Sequence, residues 1–245
     1  MRDTMEIQLT TVPPVPETLQ QRLSAAAHEA AETVRQWFGC SVDRIEIEVY
    51  TSRELWMEMH TRLNEKELAT WVAGDAGRII RVVQTGSQHH LEQMIGHECV
   101  HFILGRWAGP IPAWLDEGLA IYLLLGMVDR YRQELEQAAA HEALIPYELL
   151  ERPFTVLDRE LQPLAYAQGC AMAAHLAAEY GRRRLGQLLR SLGRGQSMDQ
   201  ALRSLGVNMY LLERDMLRCL KHRQGAFSEP GTTEKATTET TVKNV

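Results

Sequence analysis

Apolar and polar residues alternate in two short stretches near the start of the chain. Residues 7–9 and 45–49 both show the two-residue period of a strand with one buried face. Between them, from Glu17 to Phe38, apolar residues recur every three or four positions, which predicts an amphipathic helix. Gly39 follows directly and is typical of the position after a helix. The chain therefore begins with a predicted strand, helix and strand.

A short helix and a hairpin are predicted next. Thr51 and Glu54 have the spacing of a capping box, which predicts a helix start there and a helix that reaches about Leu63. Residues 71–73 and 78–84 are short, largely apolar stretches separated by the turn sequence GDAG. This arrangement predicts two antiparallel strands joined by a turn.

The rest of the pattern is helical. Helical periodicity covers residues 91–106 and 113–125, a more polar stretch at 129–141, and most of residues 164–222. A group of strands followed by a group of helices is typical of the α+β class. We therefore predict an α+β fold in which a small mixed sheet with helices precedes a helical part.

The same order predicts the domain organisation. We expect a single domain over residues 1–225, with an N-terminal α/β lobe over about 1–107 and a helical lobe over about 108–225. Residues 226–245 are rich in Thr and Glu and contain few apolar residues, which predicts a disordered tail.

Composition excludes several functional classes. With 45% hydrophobic residues among 245, the chain can bury a sizeable core. A net charge of −6 gives no basic surface for nucleic acid, and we expect no membrane segment because no apolar run approaches the length of a membrane span. The four cysteines are scattered rather than paired, which predicts reduced thiols and a cytoplasmic location. They are Cys40, Cys99, Cys170 and Cys219.

One stripe of ionisable residues interrupts the predicted helix at 91–106. Apolar residues cover almost all of its circumference, but His97, Glu98 and His101 fall together on one side. His97 and His101 are one turn apart, so both imidazoles can bind one metal ion, and Glu98 is close enough to reach a water on that metal. Burying three such groups is costly unless they share a partner. The stripe therefore predicts a metal site.

A third protein ligand is needed for a hydrolytic zinc site, which keeps its fourth position for water. After the turn sequence at 108–112, the helix at 113–125 carries two neighbouring acids, Asp116 and Glu117. Both lie about equally far from the centre of its apolar face, so periodicity alone does not choose between them.

The spacing of these residues resembles a known family. The sequence HECVH at 97–101, a short proline-containing link and WLDEGLA at 114–120 are similar to the gluzincin zinc peptidases, and in spacing to the peptidase MA-like family. This family is a compact relative of the aminopeptidase-N and thermolysin groups. The resemblance implies a thermolysin-like zincin fold with the zinc helix at the cleft, and Zn²⁺ bound by His97, His101 and Glu117.

The resemblance extends over about residues 40–222. The segment from Tyr166 to Gly169 is similar to the Tyr-x-x-Gly segment of those peptidases, which implies that Tyr166 stabilises the oxyanion. Phe154 lies in the loop that leads to Tyr166, and we expect it to form part of a cleft wall. The strand at 78–84 precedes the zinc helix, and the resemblance implies that it is the edge strand on which an extended peptide pairs.

Two departures from the family pattern matter. The aminopeptidase branch has an upstream acid that binds the free amine of the substrate, but residues 77–86 contain no acid. Amino-terminal exopeptidase activity is therefore not expected. The thermolysin branch has an aspartate four residues after the glutamate ligand that orients a histidine, whereas this chain has Ile121. The orienting group must come from elsewhere.

Together these features predict a zinc-dependent endopeptidase that hydrolyses peptides or proteins, with Glu98 as the general base. Two other functions are compatible with the same ligands: a non-catalytic zinc scaffold or sensor, and a hydrolase of a non-peptide substrate. A structural zinc site has no use for a base at Glu98, which argues against the scaffold.

Overall fold

Four strands form a mixed sheet in the N-terminal part of the computed structural model. The strands are β1 (Glu6–Val12), β2 (Arg44–Tyr50), β3 (Ala69–Val72) and β4 (Ile79–Val83). They lie in the order β1-β2-β4-β3, with β1, β2 and β4 parallel and β3 antiparallel to β4. The structure describes residues 5–59, 69–72, 79–84, 86–126 and 129–221.

The sheet order corrects one expectation from the sequence. The strand predicted at 78–84 was expected at the edge, but β4 is hydrogen-bonded on one side to β2 and on the other to β3. The hairpin itself is confirmed, because β3 and β4 pair antiparallel. In the described part of the sheet, β3 is therefore the edge strand on this side.

The first helix, α1 (Glu17–Phe38), has the predicted bounds and packs its apolar face into the core. Gly39 ends it with φ 67°, and the Gly39 N–H donates to the Arg35 carbonyl 2.8 Å away. Glycine adopts this left-handed conformation without the steric cost that a side chain brings. Helix α1 connects the parallel strands β1 and β2 and packs beside the sheet.

Eight further α-helices follow within the described residues, with a short 3₁₀ turn at Phe154–Val156. They are α2 (Arg53–Met59), α3 (Gln88–Ala108), α4 (Ala113–Leu125), α5 (Asp129–Ala140), α6 (Tyr147–Leu150), α7 (Gln162–Gly193), α8 (Met198–Arg203) and α9 (Met209–Lys221). Helical structure therefore dominates after β4, and the α+β class is confirmed.

The start of α2 differs slightly from the prediction. Ser52, rather than Thr51, caps this helix, because its hydroxyl accepts the Leu55 N–H at 3.1 Å and donates to Glu54 at 2.8 Å. The predicted extension towards Leu63 and the tail predicted at 226–245 lie outside the described residues.

Most buried apolar residues form one core that runs from Leu19 in α1 to Met216 in α9, and a smaller cluster contains Tyr50, Trp56 and Val83. The middle of α3 is buried all round, as its apolar pattern predicts, and α4 and α7 pack along each other beside it. Within the described residues, no helix has the length and apolar character that crossing a membrane requires.

Three cysteines are buried free thiols, as expected. They are Cys40, Cys99 and Cys170, and the side chain of Cys219 lies outside the described part of the chain. Burial raises the pKa of Cys40 to about 11 and that of Cys170 to about 12. These thiols therefore stay protonated and act as small core side chains.

Candidate metal centre

The two histidines of α3 converge on one point. The Nε2 atoms of His97 and His101 are 3.0 Å apart, and the rings meet edge to face with centroids 4.5 Å apart. The one-turn spacing on a straight helix produces this geometry directly. His101 is buried, with 5% of its surface exposed, whereas His97 is half-buried and reaches the adjoining cavity.

The carboxylate of Glu117 completes the cluster. Its Oε2 lies 3.2 Å from Nε2 of His97 and 3.4 Å from Nε2 of His101. The link between the helices contains Gly109, whose positive φ of 77° lets the chain reverse so that α4 lies beside α3. Of the two acids between which periodicity did not choose, Glu117 is the one whose carboxylate lies close to Nε2 of both imidazoles.

This donor set suits a divalent metal. One ligand atom from each of His97, His101 and Glu117 lies within 4.8 Å of the other two. Two imidazole nitrogens and one carboxylate oxygen are donors that zinc accepts, and three protein ligands leave a position for water. Groups of this kind, largely withdrawn from water, are stable together when they share a cation.

Asp116 lies at the other nitrogen of the same imidazole. Its Oδ2 is 2.9 Å from Nδ1 of His101, although the ring N–H is not directed straight at the oxygen. The sequence predicted that an orienting group must come from somewhere other than Ile121. Asp116 lies where a group that orients His101 would lie. In the sequence, it is marked only by its position next to Glu117 on α4.

The electrostatics of the cluster favour a positive charge. Burial by itself lowers the pKa of His101, but the carboxylates of Asp116 and Glu117 outweigh it and raise that pKa well above its usual value. Burial likewise opposes ionisation of Glu117, yet His101 and His97 hold its pKa well below the usual range. The site therefore stabilises a cation, either a proton or a metal ion.

Glu98 and Tyr166 line the same cavity as His97. Glu98 follows His97 on α3 and is 8% exposed, and Tyr166 stands near the start of α7. Burial first, and then the nearby Glu117 carboxylate, raises the pKa of Tyr166, so its phenol keeps its proton. The phenol can therefore act as a hydrogen-bond donor.

The buried ring of Phe154 packs against the ring of Tyr166. Its ring meets the Tyr166 ring edge to face at 5.1 Å and is 2% exposed. The sequence suggested a cleft wall at Phe154, but the structure buries it beneath Tyr166, because the 3₁₀ turn directs the ring into the core. Phe154 thus supports a cavity residue without lining the cavity.

The cavity has a volume of about 1760 Å³ and is bounded by α1, α3, α4 and α7. On α3 its wall includes His89 and Gln93, which lie eight and four residues before His97 and so continue the polar stripe towards the helix start. The Gln93 amide lies 3.2 Å from Nε2 of His89. Gln93 was not predicted to line the cavity, although its four-residue spacing from His97 places it on the same face of α3.

A model of one known protein family matches most of the chain. No curated protein matches the chain. The family model of the Peptidase MA superfamily matches residues 33–221, a range that includes α3, α4 and α7 with the whole candidate site. The chain therefore belongs to the Peptidase MA superfamily.

Proposed function

We propose that this chain is a zinc-dependent endopeptidase of the gluzincin type, with a thermolysin-like arrangement of its zinc helix and cleft. The observation that carries the proposal is the convergence of His97, His101 and Glu117 beside a cavity that also exposes Glu98 and Tyr166. Membership of a superfamily of peptidases supports the same chemistry.

His97, His101 and Glu117 would hold the metal. Zinc bound there would supply a water of lowered pKa and polarise the scissile carbonyl. Asp116 would fix the ring orientation of His101 through Nδ1, so that Nε2 stays directed at the metal. The chain therefore contributes three ligands and one orienting carboxylate.

Glu98 acts as the general base. It lies next to His97 on the helix and faces the cavity, where it can accept a proton from the attacking water and deliver it to the leaving amine. Its low exposure, 8%, restricts exchange of that proton with bulk water. A scaffold that bound zinc only for stability would gain nothing from a carboxylate at this position.

Tyr166 stabilises the carbonyl oxygen as negative charge develops there. Its neutral phenol can donate one hydrogen bond, and Phe154 limits the freedom of its ring. Because the donor is held in place before the reaction, little reorganisation is needed in the transition state.

The cavity supports internal cleavage of a chain. Its volume of about 1760 Å³ exceeds that of ordinary small-molecule pockets, so it can accept several residues of an extended peptide. The segment 77–86 supplies no acid to bind an amino terminus. In the described part of the sheet β3 is the edge strand beside β4, and we assign it the pairing with the peptide backbone.

The test is hydrolysis of a quenched peptide library by the purified chain, with and without a chelator and after zinc is added back. We expect cleavage at internal bonds that the chelator abolishes and zinc restores. Bound zinc without cleavage would indicate a scaffold or sensor. Zinc-dependent hydrolysis of esters but not of peptides would indicate a non-peptide substrate, and either result would overturn the proposal.

A further inference from the structure

The backbones of α4 and α7, the helices that carry Glu117 and Tyr166, are in direct contact at two glycines. A Cβ placed on Gly118 of α4 would lie 2.2 Å from the carbonyl oxygen of Gly169 on α7. A Cβ on Gly169 would lie 2.7 Å from the carbonyl oxygen of Trp114, one turn before Gly118. Real Cβ atoms essentially never lie within 3.0 Å of another heavy atom, so both positions at this crossing require glycine.

The two glycines lie directly beside the proposed catalytic groups. Glu117 precedes Gly118, and Tyr166 is three residues, or about one helical turn, before Gly169. The helix crossing therefore lies close to both residues along their helices, so its separation affects the distance between them. Phe154 packs against the tyrosine ring, and the glycine contact limits how closely α7 can approach α4 at this point.

We propose that the Gly118–Gly169 contact is a positioning device that holds the Tyr166 hydroxyl at its working distance from the metal centre. The inference rests on the proposed function, in which Tyr166 touches the reacting oxygen. Gly118 and Gly169 act only through the position of Tyr166 relative to the metal centre and do not touch the substrate themselves.

Other glycines of the chain provide controls. A Cβ on Gly186, also in α7, would make ordinary contacts of 3.5 Å with Phe38 and 3.6 Å with Trp107. A Cβ on Gly105, on α3 with the histidines, would meet no heavy atom within 4 Å in the described part of the chain. Alanine at either position adds the same methyl group, to α7 or to α3, without widening the α4–α7 crossing.

The test is a double-mutant cycle between Gly169→Ala and Tyr166→Phe. An ordinary contact is at least 3.4 Å long, so alanine at Gly169 forces the crossing to open by about 0.7 Å. Displacements of this size are costly to positioned groups, and we expect kcat to fall about tenfold or more with KM little changed. In the Tyr166→Phe background the same substitution should change kcat less than about twofold, since the hydroxyl that it displaces is absent.

Two further measurements separate positioning from general damage. Gly169→Ala should still bind one zinc per chain, because α7 supplies no ligand of the cluster. Gly186→Ala and Gly105→Ala should keep wild-type kcat.

If Gly169→Ala does not fold, Ala173→Ser replaces it. Ala173 lies at the same crossing, because its Cβ is 3.1 Å from the place that a Cβ on Gly118 would take. We expect the added oxygen to cause a smaller loss of kcat that again vanishes with Tyr166→Phe.

The outcomes are distinguishable. Equal losses of kcat in the wild-type and Tyr166→Phe backgrounds, or unchanged kcat in folded Gly169→Ala, would overturn the positioning role and leave the proposed function intact. Full kcat in Tyr166→Phe alone would remove the tyrosine from the mechanism, and the positioning role with it.

Discussion

Asp116 Oδ2 lies 2.9 Å from Nδ1 of His101, while Nε2 of the same ring points at His97 and Glu117. The imidazole is thus held between two carboxylates on neighbouring residues of α4. A carboxylate on the distal nitrogen of a ligating histidine fixes its tautomer and raises its basicity as a ligand. In the proposed mechanism, one turn of α4 would therefore contribute both a metal ligand and the group that orients another.

We predict that Asp116→Ala weakens zinc affinity by about 10- to 100-fold, because His101 loses its orienting partner. Glu117→Ala should weaken it further, because a ligand itself is lost. Competition with a chelating dye measures both, and Glu160→Ala, which removes an exposed acid, is the control. Wild-type affinity in Asp116→Ala would show that the contact with His101 is incidental.

The purified chain should contain one zinc per molecule, bound by the single cluster found among the described residues. His101→Ala should lose it, since Nε2 of His101 faces both other ligands. Elemental analysis compares the two proteins, with His141→Ala as an exposed histidine control. The same zinc content in His101→Ala and wild type would contradict the assignment.

Tyr166→Phe should lower kcat by about 10²-fold, with KM and zinc content little changed, because one hydrogen bond made chiefly in the transition state is removed. Steady-state kinetics and thermal unfolding are measured on the same variant. A tyrosine that served only packing would instead show normal kcat and a lower unfolding temperature.

Gln168 joins α7 to the loop before α6. Its side chain accepts the Ile145 N–H at 3.1 Å and donates to the Ile145 carbonyl at 2.9 Å, and it is 1% exposed. Gln168→Ala leaves two buried backbone groups without these partners, so we expect the free energy of unfolding to fall by about 2–3 kcal/mol. Urea unfolding measures the change, with exposed Gln187→Ala as the control on the same helix. A loss no larger than that of the control would contradict this role.

Local sequence patterns predicted the elements and the histidine cluster well. The bounds of α1 follow from its apolar period and from Gly39, and both belong to one contiguous stretch. His97, Glu98 and His101 also lie on one helix, where spacing alone determines which side chains share a face. Features contained in a single element are therefore readable from sequence.

Features that depend on the packing of two elements could not be predicted from local sequence patterns. Asp116 and Glu117 are adjacent and at similar angles on α4, so periodicity did not choose between them and only the family resemblance favoured Glu117. The packing of α4 against α3 is what brings the Glu117 carboxylate near both imidazoles and the Asp116 carboxylate near Nδ1 of His101. The interior position of β4 depends on its parallel pairing with β2 in addition to the predicted hairpin with β3, and the strand's own pattern does not contain that second pairing. The contact between Gly118 and Gly169 joins residues far apart in sequence, so each glycine alone carries no sign of it.

The most direct test of the account is the substitution Glu98→Gln, which keeps the shape of the side chain but removes its ability to take a proton from water. We predict that this variant binds zinc like wild type and unfolds at a similar temperature, yet hydrolyses peptides about 10²- to 10⁴-fold more slowly. Zinc content, thermal unfolding and turnover of a quenched peptide are measured on the same preparation. Turnover near the wild-type rate in zinc-loaded Glu98→Gln would contradict the proposal that this chain is a zinc peptidase with Glu98 as its base.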